Sequence, residues 1–154
     1  MNNPQIPITL SHMRDAFHDE LDAITQTLVD MAMLVKNATK DSTTALLTAD
    51  LALAEKVIAQ DDVIDSMQHE LDSRTMSLLA TQQPVASDLR TLVTSLRMSA
   101  DLERMGDMAH HISKLARMRH PATAVPPEAS LTIEEMGRVA GLIIGKVAKI
   151  ISSR

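Results

Sequence analysis

Two acidic pairs at helical spacing, Asp61-x-x-x-Asp65 and Glu103-x-x-x-Asp107, stand on either side of a proline-marked turn at Gln82-Gln83-Pro84. Asp65 and Glu103 lie about equally far from Pro84, and so do Asp61 and Asp107. Residues four apart share one face of a helix. If the flanks are helices folded back on each other at Pro84, all four carboxylates meet at one height. The pattern therefore constrains this part of the chain to an antiparallel helix pair. It also raises a question of chemistry, because like charges so close repel and a hard cation with oxygen ligands relieves the repulsion.

The residue types agree with helix. The apolar residues are almost all Ala, Leu, Ile, Val and Met, and Phe17 is the only aromatic residue. Strands favour β-branched and aromatic residues, whereas this mixture, with few Gly and Pro until late in the chain, favours helix. Eleven methionines suit an adaptable helical core. A length of 154 residues is that of one modest domain, enough to bury a core.

Several function classes drop out. The chain has no cysteine, which excludes disulfides, thiolate chemistry and Cys-based zinc or iron–sulfur sites. The start, MNNPQIPITL, has neither a basic region nor a long apolar core and is not a secretory signal. No apolar run approaches the length that spans a bilayer. The expected location is cytoplasmic, peripheral to a membrane at most. A net charge of −5 and the lack of Trp and Tyr argue against nucleic acid as a partner.

The first helix is expected to start near Thr9 or Ser11. Leu10, Met13, Phe17, Leu21, Ile24, Leu28, Met31, Val35 and Ala38 then follow at steps of three or four, a nearly heptad stripe. It could end in the polar run Thr39–Thr44, but a turn at Thr48-Ala49-Asp50 is favoured. The second helix is expected over Leu51–Gln82, with Leu51, Ala54, Val57, Ile58, Ile64, Met67, Leu71, Leu78 and Leu79 toward the core. The third is expected over Val85–Arg119, with Leu89, Leu92, Val93, Leu96, Ala100, Leu102, Met105, Met108, Ile112 and Leu115 as its stripe. Matched lengths and short turns describe an all-α, antiparallel three-helix bundle over residues 8–119.

Residues 120–130, rich in proline, read as a linker, and one further helix follows over 131–154. Thr132-x-x-Glu135 reads as a capping box at its start. Gly137, Gly141 and Gly145 recur every fourth residue, which suggests a backbone that approaches another closely. Gly141 to Val147 has a faint phosphate-loop look, but lacks the required spacing and Ser/Thr and falls within a helix. Arg90, Arg97 and Arg104 recur at sevens and read as a solvated or partner-binding face.

Spacing alone leaves two readings of the acidic pairs open, solvated surface and metal site. Three features favour metal: the pairs are level across the turn, Asp61 and Asp65 continue the stripe of Ala54 and Ile58, and Gly106 stands between Glu103 and Asp107. An all-carboxylate set of Asp61, Asp65, Glu103 and Asp107 suits Mg, Ca, Mn or oxygen-bound iron and fits zinc poorly. His69, His110 and His111 lie one turn beyond the pairs. Because the helices are antiparallel, His69 and the His110–His111 pair diverge to opposite ends, and each is expected to be partly exposed rather than a ligand. The Glu-x-x-His pattern of di-iron bundles is absent.

Four segments taken together carry a family resemblance. They are Asp50-Leu-Ala-Leu-Ala-Glu-Lys-Val-Ile58, Asp61-x-x-Ile-Asp65, Leu78-Leu-Ala-Thr-Gln-Gln-Pro-Val-Ala-Ser-Asp-Leu-Arg90 and Leu102-Glu-Arg-Met-Gly-Asp-Met-Ala109. At this spacing the chain resembles the PhoU family over residues 10–154. The resemblance implies two similar three-helix repeats, often in a homodimer. It implies a divalent or ferric ion, an iron cluster in some members, on Asp61, Asp65, Glu103 and Asp107. It further implies negative regulation of phosphate uptake and of phosphate-starvation signalling, between a phosphate ABC transporter and a sensor histidine kinase. The chain departs from the family in holding one repeat and only the first helix of a second, as if truncated.

Three functions are thereby set against one another. The first is a non-enzymatic phosphate-signalling regulator with a metal site. The second is a structural helical adaptor whose acids are merely solvated. The third is a carboxylate-bridged metalloenzyme, for which no nucleophile or ring of histidines is legible.

Overall fold

The computed structural model describes residues 10–153, with side chains from Arg14 onward. The expected start at Thr9 and the side chains of Leu10 and Met13 lie outside the described residues. Four helices and no strand are present among those described: α1 (Leu10–Thr48), α2 (Leu51–Gln82), α3 (Ala86–Arg119) and α4 (Pro127–Ser152). The first three pack mutually as an antiparallel bundle, and α4 lies against α1 alone.

Three heptad seams hold the bundle together. On α1 the seam positions are Phe17, Leu21, Ile24, Leu28, Met31, Val35, Ala38, Ser42 and Ala45, with Ala32 and Leu46 buried beside them. On α2 they are Ala54, Val57, Asp61, Ile64, Leu71, Thr75 and Leu78. On α3 they are Leu92, Ser95, Ser99, Leu102, Gly106, Ala109, Ser113 and Ala116. Each series keeps to heptad register, with steps of three and four apart from one of seven between Ile64 and Leu71, where Gln68 is half-buried, so the seams stay in contact along the bundle.

The α1 and α2 stripes fall where the sequence puts them, but of the large residues expected on the α3 stripe only Leu92 and Leu102 are fully buried. Leu89, Val93, Met108 and Leu115 are exposed, and the rest of the inward face is built from Ser, Gly and Ala. Packed against both α1 and α2, α3 needs small side chains for close approach. A Cβ added at Gly106 would stand 3.0 Å from Ile64 Cδ1. The buried hydroxyls of Ser95 and Ser99 donate to the carbonyls of Thr91 and Leu96, each at 2.9 Å. Serine can thus occupy a core position by bonding to its own helix.

The turns follow from local chemistry. Ala49 and Gln83 adopt left-handed conformations, φ 55° and 46°, where α1 and α2 end. Asp50 caps α2 by accepting from the Leu53 amide at 2.9 Å. His120 Nδ1–H donates to the Ala49 carbonyl at 3.0 Å, which ties the end of α3 to the first turn.

α4 begins one turn before the expected capping box. Pro127 sits in its first turn, where a missing N–H costs nothing. Thr132 is inside the helix, and Glu135 accepts from Arg138 Nε and Nη2 at 2.7 and 2.6 Å instead. The helix runs antiparallel to α1, with Gly137 against Thr43 and Gly145 against Lys36. Ile144, Ala148 and Ile151 are buried, while Leu131, Met136, Ile143 and Ile150 are exposed. Among the described residues, no helix is long and apolar enough to cross a membrane.

Candidate metal centre

The fold-back at Pro84 sets α2 and α3 side by side. Asp61, 8% exposed, occupies a seam position of α2 that a heptad ordinarily fills with an aliphatic residue. On α3, Glu103, Asp107 and His110 step by four and then three along the flank of the seam positions Gly106 and Ala109. The two helices thus present a strip of ionisable groups along their interface.

At its buried end, His110 Nδ1–H donates to Asp61 Oδ2. One ring nitrogen of His110 and one carboxylate oxygen from each of Asp61 and Asp107 lie within 4.8 Å of one another. The Nε2 atom of His110 is buried without a hydrogen-bond partner among the described residues. Asp65 and Glu103 stand outside this three-residue group, further along the strip toward Pro84.

Asp65 and Glu103 nevertheless feel the charges of the group. Burial pushes the Asp65 carboxyl above its ordinary value, and the charges of Asp61, Asp107 and Asp62 push it the same way, with His69 opposing. Burial likewise raises Glu103, followed by the charges of Asp107, Asp65 and Asp61, with Arg104 opposing. Asp72, further along α2, is handled differently. It accepts from Gln68 Nε2 at 2.6 Å and from Ser99 Oγ at 3.1 Å. It is a satisfied structural acid.

The histidines divide. His69 and His111 are exposed, as expected, and each donates from Nδ1–H to the carbonyl four residues back, of Asp65 and Asp107, at 2.8 Å. His110 corrects the expectation, since it is largely buried and turned into the strip. Its place one turn beyond Asp107, at the opposite end from His69, made it read as partly exposed. Side chains on a helix tilt toward its N-terminus, so His110 leans toward Asp107 and Asp61 leans toward Val57, and because the helices are antiparallel the two side chains converge. The signal available in the sequence was the step Glu103, Asp107, His110 on one helix face.

Two features suit a cation here. Burial and neighbouring carboxylates raise the proton affinity of Asp65 and Glu103, an effect that a bound positive ion opposes. A buried ring nitrogen without a partner also stands beside them. Fold and site define an all-α bundle protein with a carboxylate-lined seam between neighbouring helices.

The PhoU domain matches residues 28–116, and the chain belongs to the PhoU family. It is 44% identical over 128 residues to phosphate-specific transport system accessory protein PhoU homolog 2 of Mycobacterium tuberculosis, a match covering 83% of this chain and 60% of that one. It is 39% identical over 142 residues to PhoU homolog 1 of Mycobacterium leprae, covering 92% and 64%. The crystal structure of PhoU from Pseudomonas aeruginosa superposes with a TM-score of 0.84 at 28% identity, covering 89% of this chain and 65% of that one. The chain thus spans somewhat under two thirds of the length of these proteins.

Proposed function

We propose that the chain is a non-enzymatic negative regulator of phosphate uptake and phosphate-starvation signalling. In this reading it acts in the cytoplasm as a homodimeric, metal-binding helical adaptor between a phosphate ABC transporter and a sensor histidine kinase. Support for the phosphate role comes from the relatives, which are named as accessory proteins of phosphate-specific transport. Support for metal comes from one observation, the strip of mutually repelling carboxylates across α2 and α3. Asp61, Asp65, Glu103 and Asp107 would hold a divalent or ferric ion. An ion bound only by the folded chain stabilises it and ties α2 to α3.

The hydrogen bond from His110 to Asp61 favours a second reading, a structural adaptor without metal. It satisfies the most buried carboxylate with no ion. The two readings share the phosphate role and differ in whether the strip is loaded.

The phosphate role is tested by expressing this chain in cells that lack their own phosphate-uptake regulator and assaying alkaline phosphatase in high phosphate. Restored repression is the expected result. Persistently high activity with the protein present and folded contradicts the proposal for this chain.

A further inference from the structure

The metal reading above uses carboxylates only, yet the fold places a nitrogen donor at their buried end. One ring nitrogen of His110 is within 4.8 Å of carboxylate oxygens of both Asp61 and Asp107. Ligands bonded to one small cation at about 2.0–2.2 Å can be no more than roughly 4.4 Å apart. These three groups therefore need little movement to share an ion. Asp65 and Glu103 lie further along, and the nearby His69 turns its Nδ1–H to the Asp65 backbone carbonyl at 2.8 Å.

We propose that His110 is a ligand of the site, and that it divides the strip into two unlike ends. The Asp61–Asp107–His110 end offers nitrogen and oxygen and selects first-row transition ions such as Co²⁺, Fe²⁺ or Zn²⁺. The Asp65–Glu103 end offers oxygen alone and accepts harder ions such as Mg²⁺. Imidazole strengthens binding of transition ions, while carboxylate-only sets suit Mg²⁺, Ca²⁺ and Mn²⁺.

Three observations converge. Asp61 fills a core position, where a charge is retained at a cost unless paired or bound to an ion. His110 reaches that charge from the neighbouring helix. Asp107 brings a carboxylate oxygen to the same place, within 4.8 Å of both the Asp61 oxygen and the ring nitrogen. Coordination through Nδ1 moves the ring proton to Nε2, and an ion takes the place of the proton between Nδ1 and Asp61.

This inference rests on the metal reading, so its test separates the two. Affinities for Co²⁺ and Mg²⁺ are measured by equilibrium dialysis on the wild-type chain, His110→Ala, His110→Gln and, as a control, His111→Ala. His111 stacks on His110 with ring centroids 5.7 Å apart but is exposed. The His110 variants should lose at least about tenfold in Co²⁺ affinity with Mg²⁺ affinity little changed, and His111→Ala should match wild type. Proton NMR of the Co²⁺-loaded wild type should show a strongly shifted imidazole resonance, retained in His111→Ala and absent in His110→Gln. This readout does not depend on His110→Ala folding. Co²⁺ binding with no shifted imidazole resonance, or with the same Co²⁺-to-Mg²⁺ ratio in His110→Gln, overturns the role of His110 alone. Failure of wild type to bind either ion overturns this inference together with the metal reading.

Discussion

The α2–α3 and α1–α4 seams are both antiparallel helix contacts, and they fill their interiors in opposite ways. Between α2 and α3 an aspartate occupies a heptad core position and faces a histidine and a second aspartate. Between α1 and α4 the close contact is made by glycine against threonine, with Ile144, Ala148 and Ile151 buried alongside. Charge at a core position lowers stability unless something pairs with it, so it marks a site. Glycine at a contact marks only how near two backbones come.

The largest expected effect tests whether α4 belongs to the core at all. Ile144 is fully buried, and Ile144→Ala should cost about 2–5 kcal/mol. Chemical denaturation should still show a single transition. A separate early transition would mean that α4 is a satellite and that the seams are not parts of one structure.

Asp61→Leu sharpens the contrast from the other side. Combined with His110→Leu, so that neither partner of the buried pair is left behind, it should stabilise the metal-free chain by about 1–3 kcal/mol while abolishing retention of metal. Loss of stability in this variant would show that Asp61 and His110 form a favourable structural pair.

The glycines give a graded test of the α1–α4 seam. A Cβ at Gly137 would stand 2.5 Å from Thr43 Cγ2 and Oγ1, whereas at Gly141 it would meet nothing within 4 Å. Gly137→Ala should therefore cost about 1–3 kcal/mol. Gly141→Ala should gain up to about 1 kcal/mol from helix propensity. Equal effects in thermal melts would show that spacing, not contact, governs these positions.

A smaller effect concerns pH. Folding raises the proton affinity of Glu103, mainly by burial and then by its acidic neighbours. Such a carboxyl favours the folded state when protonated. Its contribution falls as pH rises from the ordinary value of 4.5 through the raised one. In the metal-free chain Glu103→Gln should be more stable than wild type at neutral pH, and the gap should close on acidification below that ordinary value. A gap independent of pH would remove Glu103 from the group of interacting charges.

Much of this architecture was legible in the sequence. The α1 stripe from Phe17 to Ala38, the turn at Ala49-Asp50 and the mirror symmetry of the acidic pairs about Pro84 all follow from residue type and spacing. The inward face of α3 did not, because hydrophobicity singles out Leu89 and Met108 while close packing selects Ser99, Gly106 and Ala109. The start of α4 was misplaced because a plausible capping box at Thr132 outweighed the proline at 127. His110 was missed because its place one turn beyond Asp107, at the opposite end from His69, made it read as partly exposed.

The central claim is that the α2–α3 strip binds metal and that this holds the two helices together. The most direct measurement is bound metal per chain together with thermal unfolding before and after loading with Mn²⁺ or Fe²⁺. It is made on the wild type and on Asp61→Ala/Asp107→Ala, with circular dichroism confirming that both are helical. The account expects metal bound by wild type, a raised Tm on loading, and neither in the double variant. A wild-type chain that binds no ion, or a double variant that binds and responds equally, would contradict it.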